Sequence, residues 1–281
     1  MSRDSNEIFS QQQQSNSPIP KRDIMREDFG WEVPVESVPL PSKGVIYPPS
    51  SSFCGKEMID LKAMTAREED ILTSRAYLKK GTVVNELIKS CMIERGSDPM
   101  DLIAGDRNAI MVAMRITGYG SEYHADATCP ACGKRGRQTF DLGSLAIKRL
   151  EITPVRMREN AFGFTLPVTK KNVVFKFLTG HDQSEMSIQT ERMKDITPDA
   201  PEPSVTLFLE RSLLSVGDVT DRTKISMFVK NMPAQDSRVL RKFIKDSEPN
   251  IDMANDMTCP SCGEASRIEM PIGSTFLWPD A

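Results

Sequence analysis

Polar and apolar residues alternate over 58–64, with Ile59, Leu61 and Ala63 on one side, and this period of two predicts a strand. A second apolar stretch, 173–178, introduced by Leu166-Pro167, reads the same way. Both end in threonine, Thr65 and Thr179, and both pass into an acidic helix start. Thr65 and Glu68 have capping-box spacing, in which hydroxyl and carboxylate satisfy backbone N–H groups left unpaired in a first turn. The period then lengthens. Ile71, Leu72 and Leu78 mark the inner face of a helix over 66–78, which Gly81 stops. Val84, Leu87, Ile88 and Cys91 do the same for 83–92, and Phe208, Leu209 and Leu213 for 205–214. A third helix over 107–116, with Ile110, Met111 and Met114 inward and Asp106 as its cap, is echoed by 237–246 behind Asp236. Short strands over 121–127 and 137–142 follow the third helix, 150–154 reads as extended, and Arg222 to Met232 is an extra run in the second half.

Between the short strands lies Thr-Cys-Pro-Ala-Cys-Gly at 128–133, and Thr-Cys-Pro-Ser-Cys-Gly recurs at 258–263. Two cysteines two residues apart aim both sulfurs to one side, and the glycine permits the turn beneath them. Zinc takes four ligands in a tetrahedron, and each knuckle offers two. The pairs lie 130 positions apart, and at that offset Ala104, Asp106, Asp126, Arg137, Gly143 and Ser144 fall on Ala234, Asp236, Asp256, Arg267, Gly273 and Ser274. Chance identity would be roughly one position in seventeen. The excess identifies two copies of one unit. The expected fold is therefore α+β: tandem repeats of strand, helices and knuckle hairpin over 39–150 and 151–281, behind a disordered leader at 1–38. Cys129, Cys132, Cys259 and Cys262 are the candidate ligands of one shared, structural, zinc-ribbon-like site. Four thiolates leave no open position for water, so such a site clamps rather than catalyses.

Composition narrows the function. A net charge of −3 gives no electrostatic footprint for nucleic acid, and no apolar run approaches the roughly 20 residues that span a bilayer. Cys54 and Cys91 stand alone, a usage that fits a reducing compartment. Gln11 to Gln14 and the polar residues to Pro18 give the leader a disordered composition, and 198–203 is a proline-rich insertion. Phe29 and Trp31 interrupt the leader and are either a docking segment for a partner or packing residues of the chain's own domain.

Competing chemistry finds little support. Cys-Pro-x-Cys is also a thiol-exchange signature, but those pairs sit at helix starts, and these sit in hairpins. Two separate metal sites completed by other ligands form a further alternative. His124 has alanine at its counterpart position, 254, and reads as a strand residue; His181 reads as an exposed first-turn residue. Glu68, Glu69 and Asp70 complement a helix dipole. No nucleophile elbow, phosphate-cradling loop or HExxH occurs.

Leu40-Pro41-Ser42-Lys43-Gly44 followed by Tyr47, the Thr65 helix start, Asp106, Gly118-Tyr119-Gly120 and Cys129-Pro130-x-Cys132-Gly133 resemble the baseplate proteins of contractile-tailed phages, of the T-even hub-assembly type. The resemblance covers 39–142 well and the second half more loosely. It implies a non-enzymatic structural or assembly protein whose partners are other hub or wedge subunits. It also implies a place in the host cytoplasm during assembly and in the virion tail if retained. A zinc-ribbon nucleic-acid-binding regulator is the alternative. Lys134, Arg135 and Arg137 offer it a small basic stripe that Glu264 and Glu269 interrupt in the second copy.

Overall fold

β1 (Val35–Pro39) and β2 (Met58–Lys62) pair antiparallel, Val38 opposite Ile59. In β2, Ile59 and Leu61 are buried while Met58 and Asp60 face outward, the predicted alternation. The computed structural model describes residues 28–94, 96–196, 202–270 and 276–277. Contacts divide the chain into residues 1–34 and 35–281, and the leader expected to reach 38 is corrected at its end, because Val35–Pro39 pairs with β2 and buries Val38. In the first unit Phe29 and Trp31 are exposed. The polar tract at 11–18, most of the proline-rich insertion (198–201), Gly273 and Ser274 lie outside the described residues.

Beyond β2 the capping box forms as read: the Thr65 N–H and hydroxyl donate to the Glu68 carboxylate at 3.0 and 2.5 Å. The helix expected over 66–78 is instead two, α1 (Ala66–Thr73) and α2 (Arg75–Lys80), separated by an extended Ser74. The Thr73 hydroxyl donates to the carbonyls of Glu69 and Asp70, side-chain competition that weakens a helix from within. Leu78, expected inward, is exposed. α3 (Val83–Cys91) buries Leu87, Ile88 and Cys91 as its pattern predicts.

α4 (Ala104–Tyr119) begins at 104 rather than 107, and Asp106 is not its cap. The Asp106 carboxylate reaches back to a distant turn. It accepts from the Ser42 N–H at 2.9 Å, the Ser42 hydroxyl at 2.5 Å and the Tyr47 hydroxyl at 2.6 Å. The hairpin β3 (Glu122–Thr128) and β4 (Arg135–Asp141) follows, then β5 (Ile147–Lys148); 150–154, expected extended, forms no strand.

The second half opens with β6 (Phe162–Thr165) and β7 (Asn172–Phe175), then α5 (Gly180–Ile196) and α6 (Ser204–Ser212). The run expected as helix to 214 stops at Ser212. Leu213 starts β8 (Leu213–Val216), which adds to β7 as a third strand. α7 (Arg222–Lys230), α8 (Ala234–Ser247), β9 (Asn250–Ile251) and the hairpin β10 (Ala254–Thr258) with β11 (Ala265–Glu269) follow.

The halves correspond pair for pair at several points. Glu36, Ser37, Val38 and Pro39 face Leu61, Asp60, Ile59 and Met58; Phe162, Gly163, Phe164 and Thr165 face Phe175, Val174, Val173 and Asn172. Met92 bridges to Leu61 just after α3, as Leu213 pairs with Phe175 just after α6. Lys62 and Thr65 hold Glu68 as Lys176 and Thr179 hold Asp182. Asp236 accepts from the N–H groups of Val168 and Thr169, after Leu166-Pro167, much as Asp106 accepts from Ser42 after Leu40-Pro41. The halves also interlock. β5 pairs with β9, Ile103 bridges to Thr179, and the Ala104 and Gly180 N–H groups donate to the carbonyls of Leu178 and Leu102.

Candidate metal centre

Each hairpin is fixed at its base. The Arg115 guanidinium, at the end of α4, donates to the carbonyls of Gly120 and Glu122 at 2.9 and 3.1 Å and fixes where β3 begins. Tyr123, buried in β3, packs against Phe140 across the hairpin and edge-on against Phe276 near the chain end. In the other hairpin, the Met270 N–H donates to the Met253 carbonyl at 2.8 Å. The strand registers match: Asp126 faces Arg137, and Asp256 faces Arg267.

The turns match as well. The Cys129 N–H donates to the Lys134 carbonyl and the Gly133 N–H to the Cys129 carbonyl, at 3.0 and 2.9 Å. Cys259, Glu264 and Gly263 repeat both bonds, each at 2.9 Å. Gly133 and Gly263 have φ of 69° and 73°, a left-handed conformation that strains any residue with a Cβ. This is the reason for glycine after the second cysteine. The tips meet: a Cβ on Gly136 would touch the Pro260 ring at 3.7 Å.

The four sulfurs all lie within 4.8 Å of one another. Cys129 is 3.8 Å from Cys262, and Cys132 is 3.7 Å from Cys259. A tetrahedron with zinc–sulfur bonds of about 2.3 Å has an edge of about 3.8 Å, so this spacing fits a four-thiolate zinc site. Cys129 and Cys259 are buried, Cys132 and Cys262 exposed. The N–H groups of Ser261 and Cys262 aim at the Cys259 sulfur and pull its thiol down to about 6. At Cys262 the Glu264 N–H favours the thiolate, but the sulfurs of Cys259, Cys132 and Cys129 oppose it and hold the thiol up, to about 12. Sulfurs this close repel one another as anions, and a divalent cation at their centre removes that cost. The donor set could hold a metal ion, and soft thiolates select zinc over magnesium or calcium.

Neither histidine joins this group. The His124 Nδ1 lies 2.9 Å from the Thr139 hydroxyl on the opposite strand. His181 sits in the first turn of α5, exposed, with Nε2 at 3.3 Å from Asp101 and 3.5 Å from Asp98. Both stand where the sequence reading put them. That reading missed the buried group of Ser42, Tyr47 and Asp106. Its signals were the presence of Ser42, Tyr47 and Asp106 among the residues that carry the family resemblance, and the recurrence of the aspartate as Asp236.

The sequence profile of a family described as T4 bacteriophage base plate protein matches residues 48–278, most of the chain, including both knuckles. No curated protein and no solved structure matches significantly. Among the described residues, no helix is long and apolar enough to cross a membrane.

Proposed function

The chain belongs to the T4 bacteriophage base plate protein family, and from that premise we propose that it is a non-catalytic structural or assembly protein of the baseplate hub region. It consists of two copies of one unit, 39–150 and 151–281. Cys129, Cys132, Cys259 and Cys262 bind one zinc ion that ties their hairpins together. Its partners are other hub or wedge subunits, met in the host cytoplasm during assembly. The leader around Phe29 and Trp31 docks to one of them.

The observation that carries the reading is the equal contribution of the two hairpins: two sulfurs each, all four within 4.8 Å, with the Cys129–Cys262 and Cys132–Cys259 separations near the edge length of a zinc tetrahedron. The matched strand registers and the paired networks at Glu68 and Asp182 support the duplication. The non-catalytic reading rests on burial. Ser42, Tyr47 and Asp106 bring hydroxyls and a carboxylate together, but all three are closed off from solvent and satisfy one another. Chemistry on the zinc is disfavoured because no coordination position is left for a substrate. The nucleic-acid reading gains nothing from the geometry, since Arg135 lies 3.6 Å from Asp126 and the second hairpin has Glu264 in place of Lys134 and Ala265 in place of Arg135.

Metal analysis of the purified chain is expected to give about one zinc per chain, since a four-thiolate site takes one ion. About two would replace the shared clamp with separate sites, and none would remove it. Capture of baseplate subunits from infected cells by the full chain, but not by one lacking residues 1–34, is the expected mark of a docking leader. Equal capture by both would place the docking surface elsewhere.

A further inference from the structure

The four sulfurs are not equivalent. The two contacts at 3.7–3.8 Å each cross from one hairpin to the other, and each joins a buried sulfur to an exposed one: Cys129 with Cys262, and Cys259 with Cys132. We propose that the cluster is a site of oxidative modification in which a peroxide converts the metal clamp into two crossed disulfides, Cys129–Cys262 and Cys132–Cys259. The proposal rests on the zinc reading for the starting state, but the linkage pattern rests on the sulfur geometry alone.

The direction of attack follows from exposure. An oxidant reaches the sulfurs of Cys132 and Cys262 first, because oxidation follows thiolate character and access. One molecule of hydrogen peroxide takes two electrons from the Cys132 thiolate, giving a sulfenic acid and water once a proton is supplied. The Cys259 sulfur then attacks that sulfur and displaces hydroxide, which a second proton converts to water. The S–S bond forms as the S–O bond breaks. Cys262 and Cys129 follow the same course. Four thiolates thus lose four electrons to two peroxides, and the zinc leaves unreduced as the divalent ion.

The thiol-exchange reading of Cys-Pro-x-Cys would instead close each bond within a knuckle. Here the two knuckles are hairpin turns with the same pair of backbone hydrogen bonds, and the sulfur contacts at 3.8 and 3.7 Å, Cys129 with Cys262 and Cys132 with Cys259, run between the hairpins. Crossing has a physical consequence. Each new bond spans a sequence separation of 133 or 127 positions, so the halves stay joined after the metal is lost. Closing loops that long restricts the unfolded chain strongly.

The test uses the full chain as purified. Zinc content is measured first, which examines the metal reading by itself. Hydrogen peroxide is then titrated while a chromophoric chelator reports released zinc, free thiols are blocked, and tryptic peptides are mapped without reduction. Cys129 and Cys132 share one tryptic peptide, and Cys259 and Cys262 share another. The expected product is these two peptides covalently joined, with zinc release complete at about two peroxides per chain. Two separate peptides, each lighter by two hydrogens, would overturn the proposal, as would sulfinic acids without linkage. The pairing is resolved with doubly substituted chains. Cys132→Ser with Cys259→Ser keeps the Cys129–Cys262 pair and is expected to cross-link readily. Cys132→Ser with Cys262→Ser keeps Cys129 and Cys259 and is expected to link at least tenfold more slowly. Equal rates would defeat the crossed assignment even if the peptides are joined.

Discussion

Asp106 and Asp236 stand at matching places yet ionise differently. Burial pushes the Asp106 carboxyl above the usual range, and the Ser42 and Tyr47 donors only partly offset it. At Asp236 burial acts the same way, but the Val168 and Thr169 N–H groups outweigh it and the carboxyl stays below that range. Glu248, just after α8, is a third case: burial pushes it up to about 7, eased by Lys148 and reinforced by Asp106. Between the ordinary glutamate value of 4.5 and about 7, the folded protein holds a proton that the unfolded chain has released. Stability must therefore fall as pH rises through that window. Glu248→Gln removes the dependence and is expected to stabilise the protein at pH 8 by on the order of 2 kcal/mol, with little effect at pH 4.5. Urea denaturation of both proteins at the two pH values reads this directly; an equal difference at both would refute it. Glu68, held near 2 by Ser90, Thr65 and Lys62 against its burial, acts in the opposite sense and only below 4.5. At this scale the cysteines were legible because their chemistry is local: two sulfurs, a proline and a glycine define a knuckle without help. Asp106 was not, because its partners lie 64 and 59 positions away in sequence and nothing near it announces them.

At the scale of elements, the strands at 58–64 and 173–178 and the two cysteine hairpins follow their patterns, whereas β1, β8, 150–154 and the helix ends depart from expectation. Strand periods reflect burial of one face, which the sequence writes out residue by residue. Helix ends depend on what the terminal backbone groups find. α4 starts early because the Ile103 N–H takes the Tyr47 hydroxyl as acceptor, at 3.1 Å, and Asp106 is thereby carried into the first turn. The start of α4 also packs close to the loop before β9. A Cβ on Gly105 would lie 1.8 Å from the Pro249 carbonyl oxygen, a backbone atom with no rotamer to escape into. A Cβ on Gly118, in the same helix, would meet only the flexible end of Met64, at 2.4 Å. Gly105→Ala is expected to cost about 3 kcal/mol, the upper range for overpacking. Gly118→Ala should cost under about 1 kcal/mol, because alanine's helix propensity offsets the displaced methionine. Thermal denaturation of the two variants compares them, and similar losses would contradict the close approach.

For the molecule as a whole, the proposed duplication has its sequence signal in the offset of 130 positions, but the interlocking of the halves has none. Ile103 against Thr179, and β5 against β9, join segments whose own sequences show no sign of each other. The consequence changes what the metal is expected to do. With those ties in place, loss of the proposed zinc is expected to leave the halves joined and to free the hairpin ends, where sulfurs of the two turns lie 3.8 and 3.7 Å apart and a Cβ on Gly136 would touch Pro260. Cys259→Ser leaves three thiolates and weakens the site for both hairpins at once. Hydrogen exchange is the fitting measurement, since it resolves local opening from global unfolding. Protection is expected to fall in β10 and β11 and equally in β3 and β4, although the latter lie in the other half of the sequence. The β6–β7–β8 sheet should keep its protection. If β3 and β4 exchange as slowly as before, the hairpins stand independently and the clamp has no mechanical role. If the β6–β7–β8 sheet loosens too, the metal supports the whole fold rather than one end of it.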